Sequence, residues 1–158
     1  MSAGIEKKHC DTETATVTLP SHSEHCVTVQ SSNALEMNAS LHRTVRENHA
    51  SPINQFVFAG TEHFSAFKQD AECPVVWLQG DACDDGDLYS MQTVAISGLE
   101  MTPIIVEGRE IGFLYEDESA TYCRLCGIIP EDLSASRSEQ TQSAFETMQR
   151  ILEQHGFE

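Results

Sequence analysis

With 9 Lys and Arg against 25 Asp and Glu in 158 residues, the chain carries a formal charge of −16 at pH 7. Such a charge repels phosphate backbones and anionic bilayers, so neither nucleic acid nor a membrane is expected as a partner. The length suffices for one domain with a real core, or for one domain and part of a second.

The first residues, MSAGIEKKHCDTETATVT, show no apolar stretch ahead of a cleavage site, and no run reaches the length of a membrane span. A cytoplasmic setting is expected, and with it reduced thiols at Cys10, Cys26, Cys73, Cys83, Cys123 and Cys126. Residues 1–14 are polar and read as a flexible tail. Two β-type runs follow, TATVTLP (14–20) and HCVTVQ (25–30), joined by SHSE. Asn33 or Ser32 then caps a helix through about residue 49, with Leu35, Met37, Leu41 and Val45 as its apolar stripe.

INQFVFAG (53–60) and CPVVWLQG (73–80) are rich in β-branched and aromatic residues and read as strands, with a polar loop carrying His63 between them. Past the Asp- and Gly-rich breaker DACDDGD (81–87), four β-type segments succeed one another: 88–98, 102–108, 109–117 and 120–130. IIVEGREIGFLY is the clearest hairpin, with Glu107 and Gly108 at its tip. Ser136 and Glu139 form a capping box for a helix from about Arg137 to His155, whose apolar face is Ala144, Phe145, Met148, Ile151 and Leu152.

Four groupings invite a chemical reading. Cys123 and Cys126 have C-x-x-C spacing, but on a strand they point to opposite faces, and Arg124-Leu125 offers no turn; two thiols on a strand is the preferred account over a metal or redox pair. His22, His25 and Cys26 lie close enough in sequence to touch one ion, yet no fourth ligand is in register and a solvated loop is preferred. DACDDGD has acid spacing reminiscent of a calcium loop without the closing Glu, and reads as an Asp-rich turn. Glu116, Asp117 and Glu118 would supply a general acid or base if folded into a cleft, and are otherwise a solvated strand end. Phosphate-loop, nucleophile-elbow and zincin motifs are absent, and no cofactor is called for.

The segments QTVAISG (92–98), GREIGFLYEDESATYC (108–123) and SASRSEQTQSAFETM (134–148), together with Cys126-Gly127 where the pattern has Ser-Gly, carry a resemblance. They are similar to the RidA/YjgF/endoribonuclease L-PSP family, and in particular to the N-terminal portion of FkbO-type chorismatase-like two-domain proteins. The resemblance spans about residues 53–157. It implies an α+β fold, a chorismate-mutase-like antiparallel sheet with helices packed on one face, comprising a degenerate module over 15–100 and an incomplete second one over 101–158.

By the same resemblance, the whole protein would act on or bind a small carboxylate metabolite, chorismate- or imine-like, as a hydrolase or deaminase. Cys126, Gly127, Tyr122, Arg124 and Glu116 would lie near its cleft, Arg124 as a carboxylate partner or as a cross-strand partner of an acid. The family's Arg-bearing strand after the helix has no matching position, so the catalytic residues are unassigned and the chain alone is expected to be inactive. An unpaired edge beside Tyr122–Ile128 is expected, completed by a homotrimer or by a C-terminal domain. The competing reading is a non-catalytic binding or assembly module of the same fold.

Overall fold

The computed structural model describes residues 10–60, 72–79 and 89–157. Over these residues it is a mixed α+β structure of two sheets, each with one helix against it. The expectations for His63 and for DACDDGD fall outside the described residues.

The first strand, β1 (Asp11–Thr18), opens three residues before the expected start, so Asp11–Thr14 belong to a strand rather than to a tail. The physical reason is the partner: β1 runs antiparallel to β2 (Ser23–Ser31) from Asp11 opposite Gln30 to Thr18 opposite Ser23, and the ladder takes up backbone groups that a tail would leave to water. Along β2 the alternation places His25, Val27, Val29 and Ser31 on the buried side.

Helix α1 (Ala34–Glu47) is capped by Asn33, whose Oδ1 accepts from the Leu35 and Glu36 amides at 3.0 and 3.3 Å. Its buried stripe is Met37, Leu41 and Val45 at intervals of four; Leu35, expected on that stripe, is 71% exposed because it lies about 200° around the helix from Met37.

Three further strands complete the first sheet, β3 (Ser51–Phe58), β4 (Val75–Leu78) and β5 (Tyr89–Ser97), in the order β1-β2-β5-β3-β4. All pairings are antiparallel except β3 with β4. Helix α1 covers one face over Val27, Val29, Val57, Met91 and Ala95, a core in which each valine and methionine is worth roughly 2 kcal/mol on burial.

The second sheet is the meander β6 (Thr102–Val106), β7 (Arg109–Glu116) and β8 (Thr121–Leu125), in that order. The expected hairpin tip is present, with positive φ at both Glu107 (51°) and Gly108 (75°), the signature of a two-residue turn that matches strand twist. Helix α2 (Arg137–Gln154) begins at the expected capping box and lays Ile151 on Ile104 and Ile111. Phe145, expected on the packed face, is 64% exposed; among the residues of α2 only Ile151 is fully buried.

Each sheet contains one register break, and in both the extra residue is an isoleucine: Ile53 between Pro52 and Asn54, and Ile111 between Glu110 and Gly112. A bulge moves that side chain to the other face of its strand. Ile53 thereby joins Ile96, Cys73, Phe113 and Tyr115 in the layer between the two sheets, whereas Val57 on the same strand packs under α1. Ile111 likewise faces Ile151, while Phe113 and Tyr115 face the first sheet.

Candidate functional site

The polar residues of the second sheet converge on the end of the first where β1 turns into β2. Tyr115 and Tyr122 are directly opposed on β7 and β8, and their rings stack at 4.9 Å with an interplanar angle of 13°. Against that stack lies the His22 imidazole, edge-on to both rings at 6.2 and 6.3 Å, its side chain wholly out of solvent. Gly98 closes the other side, where a Cβ would stand 3.2 Å from the Ser21 carbonyl oxygen and 3.4 Å from His22 Cα.

Two carboxylates flank the ring. Asp117, just after β7, accepts from the Ser119 hydroxyl (2.7 Å), the Ser119 and Ala120 amides (2.8 and 2.9 Å), the Tyr122 hydroxyl (3.2 Å) and the Ser21 hydroxyl (3.4 Å). These bonds, those of Ser119 first, hold its carboxyl well below the ordinary carboxylate range. Glu24 on β2 accepts from an Arg124 terminal nitrogen at 3.1 Å, and Arg124 Nε donates to the Tyr115 hydroxyl at 3.1 Å. That hydrogen bond raises Arg124 further above its ordinary value, while burial pushes the Tyr115 phenol up.

Of the five residues singled out in the sequence, Tyr122 and Arg124 enter this cluster. Arg124 has an acid as partner, Glu24, one hundred positions away rather than a neighbour on the adjacent strand. Glu116 is exposed at the end of β7, and Asp117 next to it supplies the carboxylate instead. Cys126 and Gly127 lie elsewhere, past the end of β8: the Cys126 amide donates to the Ile111 carbonyl at 2.7 Å, and a Cβ on Gly127 would stand 3.8 Å from that of Pro74.

The C-x-x-C pair, expected on one strand, straddles the end of β8, with Cys123 on the strand and Cys126 just past it. Cys123 packs with the layer under α2, and Cys126 is close enough to Cys73 for the two thiolates to disfavour each other. Burial first, then Cys126, pushes the Cys73 thiol up to about 12. His22, His25 and Cys26 also part company, since His25 hydrogen-bonds Thr16 Oγ1 (3.1 Å) and Ser97 Oγ (2.9 Å) within the first sheet. Among the described residues no three His, Cys, Asp or Glu side chains are grouped so as to hold a metal ion.

A concavity of about 520 Å³ opens over Pro52, Leu99 and Phe113. Glu72, Glu100 and Glu110 line it, a potential that disfavours an anionic ligand. No helix among the described residues is long and apolar enough to cross a membrane. No protein-family model, no curated protein and no solved structure matches the chain.

Proposed function

We propose that the chain is a binding and assembly module whose β8 edge takes up an extended strand from a second copy, rather than a catalyst in its own right. The carrying observation is that, among the described residues, β8 pairs with β7 alone, leaving the outer ladder positions of Thr121–Leu125 without a partner there. The polar groups nearest that edge are engaged within the molecule: Arg124 by Glu24 and Tyr115, and Tyr122 by Asp117. The same unit exposes Ile105, Ile129, Leu133 and Phe145, apolar surface of the kind an assembly would cover. The RidA-like resemblance of about residues 53–157 supports self-association, since such proteins are trimers, and the small-carboxylate reading would then require a cleft between subunits.

Light scattering of the purified chain over a concentration series, at low and high salt, tests this. Copies carrying −16 repel one another, so a self-assembling edge gives a mass that rises towards a trimer and does so more readily at 0.5 M salt, a concentration at which screening acts over roughly 4–5 Å. A monomer at every concentration and salt level overturns the reading.

A further inference from the structure

We propose that Cys73 and Cys126 form a dithiol site that a peroxide oxidises to a disulfide within the chain, stapling the segment that leads into β4 of the first sheet to the end of β8 in the second. The inference starts from how closely the two backbones approach. A Cβ on Gly127 would stand 3.8 Å from that of Pro74 and 3.9 Å from the Val75 carbonyl oxygen. Residues joined by a disulfide have Cβ atoms roughly 3.5–4.5 Å apart, so the two segments run at bridging separation where Pro74 meets Gly127. Cys73 and Cys126 are each one residue upstream of that contact.

A second set of contacts leads to the same place. The Cys126 amide donates to the Ile111 carbonyl at 2.7 Å, and Glu110, next to Ile111, lines a concavity of about 340 Å³ together with Glu72, Cys73 and Pro74. After burial, a Cys126 thiolate is the largest influence raising Cys73, so the two sulfurs lie within each other's field. The other described cysteines are placed elsewhere. Cys10 packs against the core beneath α1, Cys26 lies within the first sheet between Ala15 and Val94, and Cys123 is under α2. Cys73 and Cys126 are both free thiols, the first buried and the second half-buried, so an oxidant meets Cys126 first.

The chemistry balances with hydrogen peroxide as oxidant. The Cys126 thiolate attacks one peroxide oxygen, the O–O bond breaks, and the leaving hydroxide takes up the proton that the thiol gave up; the sulfur is now a sulfenic acid. Cys73 Sγ attacks that sulfur, the S–S bond forms, the S–O bond breaks, and the departing hydroxide carries off the Cys73 proton as water. Two thiols have lost two electrons and one peroxide has become two waters. Burial raises both thiols above their ordinary values, so thiolate is scarce and the bond forms slowly. Thiols of high pKa also leave poorly, so the bond, once made, resists exchange. The site is thus a slow staple beside the inter-sheet layer of Ile53, Ile96 and Phe113.

The full chain is treated with hydrogen peroxide near neutral pH without denaturant, its remaining thiols are blocked, and it is digested with trypsin. Cleavage after Lys68, Arg109, Arg124 and Arg137 separates Cys126 from Cys123 and leaves Cys73 with Cys83. The expected product is peptide 69–109 linked to 125–137, with fragmentation placing the bond at Cys73 and a non-reducing gel showing it within one chain. The link closes a loop of more than fifty residues, so the oxidised chain's folding equilibrium constant in urea should exceed that of the reduced chain by roughly a hundredfold. Dithiothreitol should reverse that gain, and Cys126→Ser should lack it. If Cys126→Ser does not fold, Cys73→Ala serves in its place, and the wild-type peptide map stands without either. A bond from Cys126 to Cys83 or Cys123, a bond between chains, Cys126 over-oxidised beside a free Cys73, or a linked chain no more resistant to urea than the reduced one overturns the proposal.

Discussion

Replacing Ile151 by Ala should detach α2 while leaving the first sheet intact. Ile151 is 1% exposed and is the one fully buried residue among those of the 18-residue helix, seated on Ile104 and Ile111. The substitution removes three carbons, about 2.4 kcal/mol of transfer free energy, and the cavity left between helix and sheet brings the cost to roughly 3 to 4 kcal/mol. No second buried anchor shares that load, because Phe145 is 64% exposed and Ala144, Met148 and Leu152 are only half-buried. Amide exchange by mass spectrometry is the assay. Amides of 137–154 should lose protection in the variant while those of β5 keep theirs, and Phe145→Ala should change neither by more than about 0.5 kcal/mol. Unchanged protection of α2 in Ile151→Ala, or an equal loss across both sheets, would refute the view that one side chain docks the helix.

Three further outcomes are expected. Gly112→Ala should cost about 3 kcal/mol or more, measured by denaturant unfolding, because a Cβ there would overlap the Arg124 carbonyl oxygen and force β8 off β7. Cys73, buried and pushed up to about 12, should resist iodoacetamide at pH 8 in the folded chain, since the thiolate is on the order of one part in ten thousand; labelling before unfolding, seen by peptide mapping, would contradict its place in the inter-sheet layer. Asp117→Asn should be destabilised at neutral pH and draw level with wild type as the pH falls below the ordinary carboxylate value of about 3.9, because stability held by a depressed carboxyl is lost on acidification; a gap between the two proteins that stays constant with pH would show that Asp117 acts by shape alone.

The elements themselves are legible because their signals are local. Asn33 and the Ser136–Glu139 box announce helix starts within four residues, and Glu107-Gly108 announces its turn. Faces are less so. Period-two alternation assigns Ile111 to the side of Phe113 and Ile53 to that of Val57, and a bulge moves both; Pro52 beside Ile53 and Gly112 beside Ile111 are the only marks of it in the strands. Part of the candidate site was visible as Tyr122 and Arg124 on one strand face. His22 also drew notice, but as a ligand beside His25 and Cys26, since its actual company of Tyr115, Asp117 and Tyr122 is assembled across more than ninety residues. The single clue was chemical: Arg124 is a lone cation on an otherwise apolar strand, and such a charge needs an acid somewhere.

The place of β5 has a kinetic consequence. It pairs with β2 on one side and β3 on the other, so without it the first sheet is two separate ribbons, β1 with β2 and β3 with β4. Joining Ser23 to Ser97 closes a loop of more than seventy residues, whereas β6, β7 and β8 meet through short turns. Loop-closure entropy makes the meander an early event and the insertion of β5 a late one. Until that insertion the inner edges of β2 and β3 stand bare, and a folding chain is most open to aggregation in that interval.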